Sequence, residues 1–285
     1  MKAIACELPR TQGVPLSRFS RAELHRLVVE RGVCEASAST IARWLREDAL
    51  KPWQHRSWIF PTDPAFLEKA GPVLDLYQGR WQGRLLHPGE FVICADEKPS
   101  IQARRRIHDS LPPAAGSGQR VEHTYKRKGA LTYLAAWDVG RGHVFGRSER
   151  KGGIEPFDRL VRQVMSREPY ASARRVFWIV DNGSSHRGQK SNERLERRWP
   201  NLRLVHLPLH ASWLNQIEIY FSIVKRKLLQ PNDFARLADV ARTLNAFERH
   251  WTEIAEPFEW NFTRDDLAAL ITRLAAHEPQ LQLAA

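Results

Sequence analysis

The chain has 285 residues, enough for one large core and a smaller module, and carries 44 Lys and Arg against 32 Asp and Glu, a formal charge of +12. Such an excess of cations suits a polyanionic partner, because Lys and Arg displace counterions condensed along a nucleic-acid backbone; ribosomal and membrane-surface proteins share the bias. Cys6, Cys34 and Cys94 are far apart and form no C-x-x-C pair, which argues against a disulfide framework or a thiolate zinc site, and neither a signal-like apolar start nor a run of roughly 18 apolar residues is present, so a soluble cytoplasmic protein without a membrane partner is expected.

In chain order, Ser17 to Leu50 is helical in pattern. Ser20-Arg21-Ala22-Glu23 has capping-box spacing, Leu24, Leu27 and Val28 share a face, and Gly32-Val33 breaks the run. A second helix starts among Ser37, Ser39 and Thr40, turns Ile41, Trp44 and Leu45 inward and Arg43 and Arg46 outward, and stops at Lys51-Pro52. The pair suits a helix-turn-helix over residues 1–55 whose Thr40, Arg43 and Arg46 meet DNA; a plain helical hairpin fits the pattern equally well. Residues 56–89, with Pro61, Pro64, Pro72 and Pro88, read as a linker with one helix.

From Glu90 the texture changes. Phe91 to Ala95 is a continuous apolar run, as in a strand buried on both faces, and it is expected to stop at Asp96. Strands at Leu131 to Asp138 and His143 to Arg147 flank the tight Gly140-Arg141-Gly142 turn. A helix from Pro156 to Met165, a strand from Val176 to Val180 ending at Asp181, a helix from Ser191 to Arg198, a strand from Leu202 to Leu207 and a long helix from about Trp213 to Leu229 follow. Residues 90–232 thus form one α/β domain, and residues 233–285 a C-terminal helical segment without a chemical motif.

Asp96 and Asp181 each follow an apolar strand, where open sheets place their ligands. Asp181-Asn182-Gly183 also spells a turn, and Asp96-Glu97-Lys98 also reads as a solvated strand end. Glu218 borders the apolar stripe of Leu214, Ile217, Phe221, Val224 and Leu228, a costly place for a carboxylate unless it is paired or binds metal; a salt bridge to Lys or Arg is the alternative. Three carboxylates supply hard oxygen ligands for two magnesium ions, with Mn2+ able to substitute, and two such ions support in-line displacement at phosphorus without a nucleophilic side chain. Ser184, Ser185 and His186 lack the G-x-S-x-G elbow of a hydrolase, and His186, His206 and His210 lack the close spacing of a zinc site.

Three blocks carry a family likeness. Val92 to Ala103 (with Asp96-Glu97-Lys98-Pro99), Ile179 to His186 (with Asp181-Asn182-Gly183) and His206 to Glu218 (with Leu214-Asn215-Gln216-Ile217-Glu218) resemble, in order, the catalytic blocks of insertion-sequence 630 type transposases of the Tc/mariner superfamily. Tyr125-Lys126-Arg127-Lys128-Gly129 and Pro257-Phe258-Glu259-Trp260 resemble minor blocks, so the likeness covers about residues 15 to 262. It implies a ribonuclease-H-like mixed sheet flanked by helices, with Asp96, Asp181 and Glu218 as catalytic metal ligands. It also implies cleavage at transposon ends by activated water, attack of the freed 3′-hydroxyl on target DNA, and a homodimer on double-stranded DNA in a prokaryotic, nucleoid-associated setting. Lys126, Arg127, Lys128, Lys225 and Arg226 are the expected phosphate contacts of the catalytic domain. The interval from Asp181 to Glu218 is slightly longer than is usual in the superfamily. Little precedes Ser17 where relatives carry a second helix-turn-helix, which points to a truncated or split copy. A DNA-binding regulator and a nuclease without strand transfer are the competing functions.

Overall fold

The computed structural model describes residues 1–48, 50–54, 61–183, 189–254 and 256–277, in two compact units, Met1–Phe60 and Pro61–Ala285. Among the described residues no helix is long and apolar enough to cross a membrane. The smaller unit holds α1 (Lys2–Ala5), α2 (Arg21–Glu30) and α3 (Ala38–Glu47). At the start of α2, Ser20 Oγ accepts from the Glu23 N–H and the Glu23 carboxylate accepts from the Ser20 N–H, the reciprocal cap its spacing predicts. Ser37 caps α3 by accepting from the Thr40 N–H, and Gly32 makes the intervening turn with φ +61°. Leu24 and Val28 meet Ile41, Leu45 and Phe19 in a small core, as residues three and four apart on facing helices must.

In the larger unit a short hairpin of β1 (Arg80–Trp81) and β2 (Arg84–Leu85) follows α4 (Phe66–Tyr77). The main sheet contains β3 (Glu90–Arg106), β4 (Tyr125–Asp138), β5 (Val144–Glu149), β6 (Arg175–Val180) and β7 (Leu202–His206), in the spatial order β5-β4-β3-β6-β7. Pairing is antiparallel among β3, β4 and β5 and parallel from β3 through β6 to β7. Helices α5 (Ile154–Met165), α6 (Gln189–Arg198), α7 (Ile217–Lys227), α8 (Leu237–Glu253) and α9 (Arg264–His277) complete the unit. Alternation along β3 and β6 explains their unbroken apolar runs: Ile93, Ala95, Trp178 and Val180 pack with α5, while Val92, Cys94, Phe177 and Ile179 pack with α4, α7 and α8.

Four expectations need correction. β3 does not stop at Asp96: the apolar run ends where the parallel partner ends, but the strand continues, antiparallel to β4 alone, to Arg106. Residues 61–89 are not a linker, and the described residues of 233–285 do not stand apart. Phe66, Ala70, Val73, Leu74 and Leu76 of α4 share one core with Val240, Leu244 and Leu267 of α8 and α9, and Arg264 grips Asp75 with two hydrogen bonds of 2.6 and 2.7 Å. Finally, the helix expected from Trp213 begins only at Ile217. A single 3-10 turn, Ser212–Leu214, precedes it, so Glu218 lies in the first turn of α7 rather than in its second.

Candidate active site

Two neighbouring strands deliver the aspartates. β3 and β6 pair in register until Cys94 faces Ile179; Asp96 lies two residues beyond that pair and Asp181 directly follows the last residue of β6. Adjacent strands lie about 4.8 Å apart, so both carboxyl-bearing residues sit side by side just past the point where the parallel pairing ends. Beyond Asp96 the ladder with β4 shifts register between Lys98 and Ile101, and Ser100 takes φ +58°, a bulge that bends the strand beside the acids.

Glu218 is brought to that end by the turn before α7. Asn215, 1% exposed, donates from Nδ2 to the Ala95 carbonyl at 3.1 Å, and Tyr77 of α4 donates its hydroxyl to the Leu214 carbonyl at 2.7 Å. Asp63, 2% exposed, accepts from the Leu209 N–H at 2.9 Å and from Lys69, fixing the loop that leads there. The first turn of a helix also favours a carboxylate, since the unpaired N–H groups present partial positive charge.

The electrostatics record the convergence. Burial pushes the Asp96 carboxyl up to about 7; the charge of Asp181 adds to the rise, as do Glu218 and Glu97 more weakly, against the opposing pull of the Glu97 N–H, which donates to Asp96 Oδ1 at 2.7 Å. A rise from 3.8 to about 7 corresponds to on the order of 4 kcal/mol of penalty on the charged form. Asp181 Oδ1 accepts from the Gly183 N–H at 2.7 Å, and Asn182 donates to the Leu207 carbonyl at 2.7 Å, so the turn after β6 is fastened to the end of β7.

Among the described residues no three His, Cys, Asp or Glu side chains form a ready cage for a metal. The donor chemistry nevertheless fits magnesium, which is held by one or two carboxylates together with substrate phosphates and water rather than by an all-protein cage. Mutual repulsion among the three acids is what a divalent cation relieves.

Cationic side chains flank the acids. A cleft of about 380 Å³ is lined by Lys98, Arg104 and Arg106 of β3 and by Lys225 of α7. Arg104 and Arg106 stack on the Tyr125 ring at 4.8 and 5.2 Å. The structure therefore brings Lys225 beside three cations that the sequence reasoning passed over, although Arg104-Arg105-Arg106 is a visible run. Lys126, Arg127 and Lys128 are exposed on β4, where Lys126 pairs with Arg105 and Arg127 with Arg104. Arg226 is exposed on α7. In the smaller unit Arg43 and Arg46 are exposed on α3, whereas the Thr40 hydroxyl lies 3.0 Å from Ser37 Oγ within the helix cap. His206 Nδ1 lies 3.4 Å from the Asp181 carbonyl and His210 is exposed with φ +58°; Ser184, Ser185 and His186 lie outside the described residues. Asn215 and Tyr77 are the positioning residues that sequence reasoning missed; Asn215 had a signal, as a polar residue next to an apolar stripe.

A family model described as DDE superfamily endonuclease matches residues 92–241. No curated protein matches the chain by sequence. Among solved structures it is similar to the Mos1 mariner paired-end complex with Mn, at 14% identity and TM-score 0.50 over 95% of this chain and 79% of that one. It is likewise similar to the Mos1 paired-end complex with Mg, at 16% identity and TM-score 0.50 over 83% and 73%. These likenesses concern the fold, and they agree with the ribonuclease-H-like mixed sheet that the family resemblance implies.

Proposed function

This chain belongs to the DDE superfamily endonucleases, and from that premise we propose that it is a DNA transposase that cuts at transposon ends and joins the freed 3′-hydroxyls to target DNA. Asp96, Asp181 and Glu218 are its catalytic carboxylates and metal ligands. The observation that carries the reading is the meeting of three acids from distant parts of the chain, close enough for the charges of Asp181 and Glu218 to raise Asp96. Asp96, Asp181 and Glu218 would hold two Mg2+ or Mn2+ ions, which would supply activation of the attacking oxygen and stabilisation of the departing one in an in-line displacement at phosphorus.

The chain's own residues do the rest. Asp96 must give up its proton to act as a ligand, and Asn215 holds the Asp96 strand against the Glu218 helix. Lys98, Arg104, Arg106 and Lys225 orient phosphates at the acids, with Lys126, Arg127, Lys128 and Arg226 extending the cationic surface. Residues 1–55 serve as a helix-turn-helix module that binds terminal repeats through Arg43 and Arg46, with Thr40 in the cap of the second helix. The active species is a homodimer bridging two DNA ends in the prokaryotic cytoplasm.

Incubation with labelled terminal-repeat DNA, Mg2+ and a supercoiled target tests this directly. Joined product is expected. Binding without cleavage would indicate a DNA-binding regulator instead, and cleavage without joining a nuclease.

A further inference from the structure

The outer edge of the main sheet carries a second concentration of cations. There β5, α5 and α8 border an open cleft of about 950 Å³ into which Arg147, Arg159, Arg162, Arg167 and Arg249 project, with Glu248 as its one lining carboxylate. Glu149, just outside, engages Arg147 at 3.2 Å and Arg159 at 3.0 Å. Arg162, Arg167 and Arg249 make no salt bridge among the described residues. Ser148 Oγ, also lining the cleft, is buried without a hydrogen-bond partner in the structure.

An edge strand needs its free backbone groups covered, and here both flanking helices do so. Gln163 of α5 donates to the Gly146 carbonyl at 3.2 Å, and Glu248 of α8 accepts from the Gly146 N–H. With the edge covered, the surplus arginines are not needed for strand pairing. Crowded like charges repel one another, and the guanidinium fork matches phosphate oxygens in geometry. The shape is open rather than enclosed, which suits an extended polyanion better than a compact ligand. Strand register sets its position: Asp96 faces Ala135, and Ala135 faces Gly146, so the cleft lies level with the acids and two strands away, about 10 Å along the sheet.

We propose that this arginine-lined cleft holds the phosphodiester backbone of duplex DNA, an anchoring site separate from the acidic centre. The inference rests on the reading of the chain as a DNA-acting enzyme. Its test measures equilibrium binding of the full chain to a short fluorescent duplex of arbitrary sequence, by anisotropy across a NaCl series, in EDTA so that no strand is cut. Arg162 and Arg249 are exposed, so Arg162→Ala/Arg249→Ala is expected to fold normally. The double variant should bind roughly tenfold more weakly and lower the slope of log K against log salt by about 2, one unit for each lost phosphate contact. A matched pair outside the cleft, Arg84→Ala/Arg273→Ala, should change affinity by less than about twofold. An unchanged slope, or equal losses in both pairs, overturns the proposal. So does a melting-temperature gain from inorganic phosphate that vanishes in the double variant while its DNA slope stays intact, because the cleft would then be a small-phosphate site. The two readings fail separately: loss of slope in a protein that never cuts leaves the cleft standing without the transposase, and normal joining with an unchanged slope does the reverse.

Discussion

Asn215 donates from Nδ2 to the Ala95 carbonyl at 3.1 Å, tying the residue before Asp96 to the turn three residues before Glu218. Its Oδ1 also lies 3.5 Å from the Ile217 N–H at the start of α7. One amide side chain thus joins two elements 120 positions apart in the chain. Replacing it with Leu keeps the bulk and strands a buried carbonyl, a cost of about 1–3 kcal/mol. Asn215→Leu should lower thermal stability by that amount, read by denaturant titration, and should lower the rate of strand cleavage while DNA affinity stays near the parent value.

Asp181→Asn removes one charge from the acidic cluster and leaves the shape intact. Cleavage should fall by roughly a thousandfold or more, equivalent to about 4 kcal/mol in the barrier. Duplex affinity measured in EDTA should not fall, because the lost group repels phosphate. Activity near the parent level would remove Asp181 from the site.

Metal binding should depend on pH in a defined direction. In the metal-free protein Asp96 keeps its proton up to about pH 7, and a cation must displace it. Mg2+ should therefore raise the melting temperature more at pH 8 than at pH 6, with the apparent affinity weakening by up to about tenfold per unit below pH 7. Asp96→Asn should flatten that dependence, and chelation should abolish cleavage until Mg2+ or Mn2+ is restored.

Glu248 supplies a separate titration. Burial is the main cause of its rise from 4.5 to about 7, opposed by the Gly146 N–H and by Arg167 and Arg249. With the folded value above the unfolded one, the native state binds the extra proton between those limits, so stability falls as pH rises from about 4.5 to about 7 and then levels off. Glu248→Gln keeps the acceptor for Gly146 and removes the ionisation. It should gain on the order of 2–3 kcal/mol at pH 8 and little at pH 4, in denaturant melts at both values.

The central strands and the acids that follow them were legible because burial on both faces forces continuous apolar runs such as Val176 to Val180, which end where burial ends. The continuation of β3 was not. Only Ile101 and Ala103 of its later residues are buried, with Arg104 to Arg106 following, and the partner strand, distant in sequence, keeps them extended. The role of α4 was hidden for a related reason. Gly71-Pro72 within it reads as a breaker, yet the helix runs through both, and the Arg264 guanidinium of α9 lies against Gly71, a contact that no local pattern announces. The late start of α7 depends on the side-chain bond from Asn215 and the hydroxyl of Tyr77, contacts that periodicity cannot encode.

That β3 outruns its parallel neighbour separates two kinds of evolutionary freedom. Backbone pairing on both sides clamps the strand up to Cys94, and pairing with β4 carries it on through Arg106, so the Asp96 carboxylate is located by main-chain bonds on which the outward side chains have no hold. On the proposed function, Lys98 and Arg104 could then be exchanged one at a time, retuning how tightly DNA is gripped while the neighbouring carboxylate keeps its coordinates; Arg106, which donates to the carbonyls of Asn232, Glu122 and His123, is tied into the fold itself.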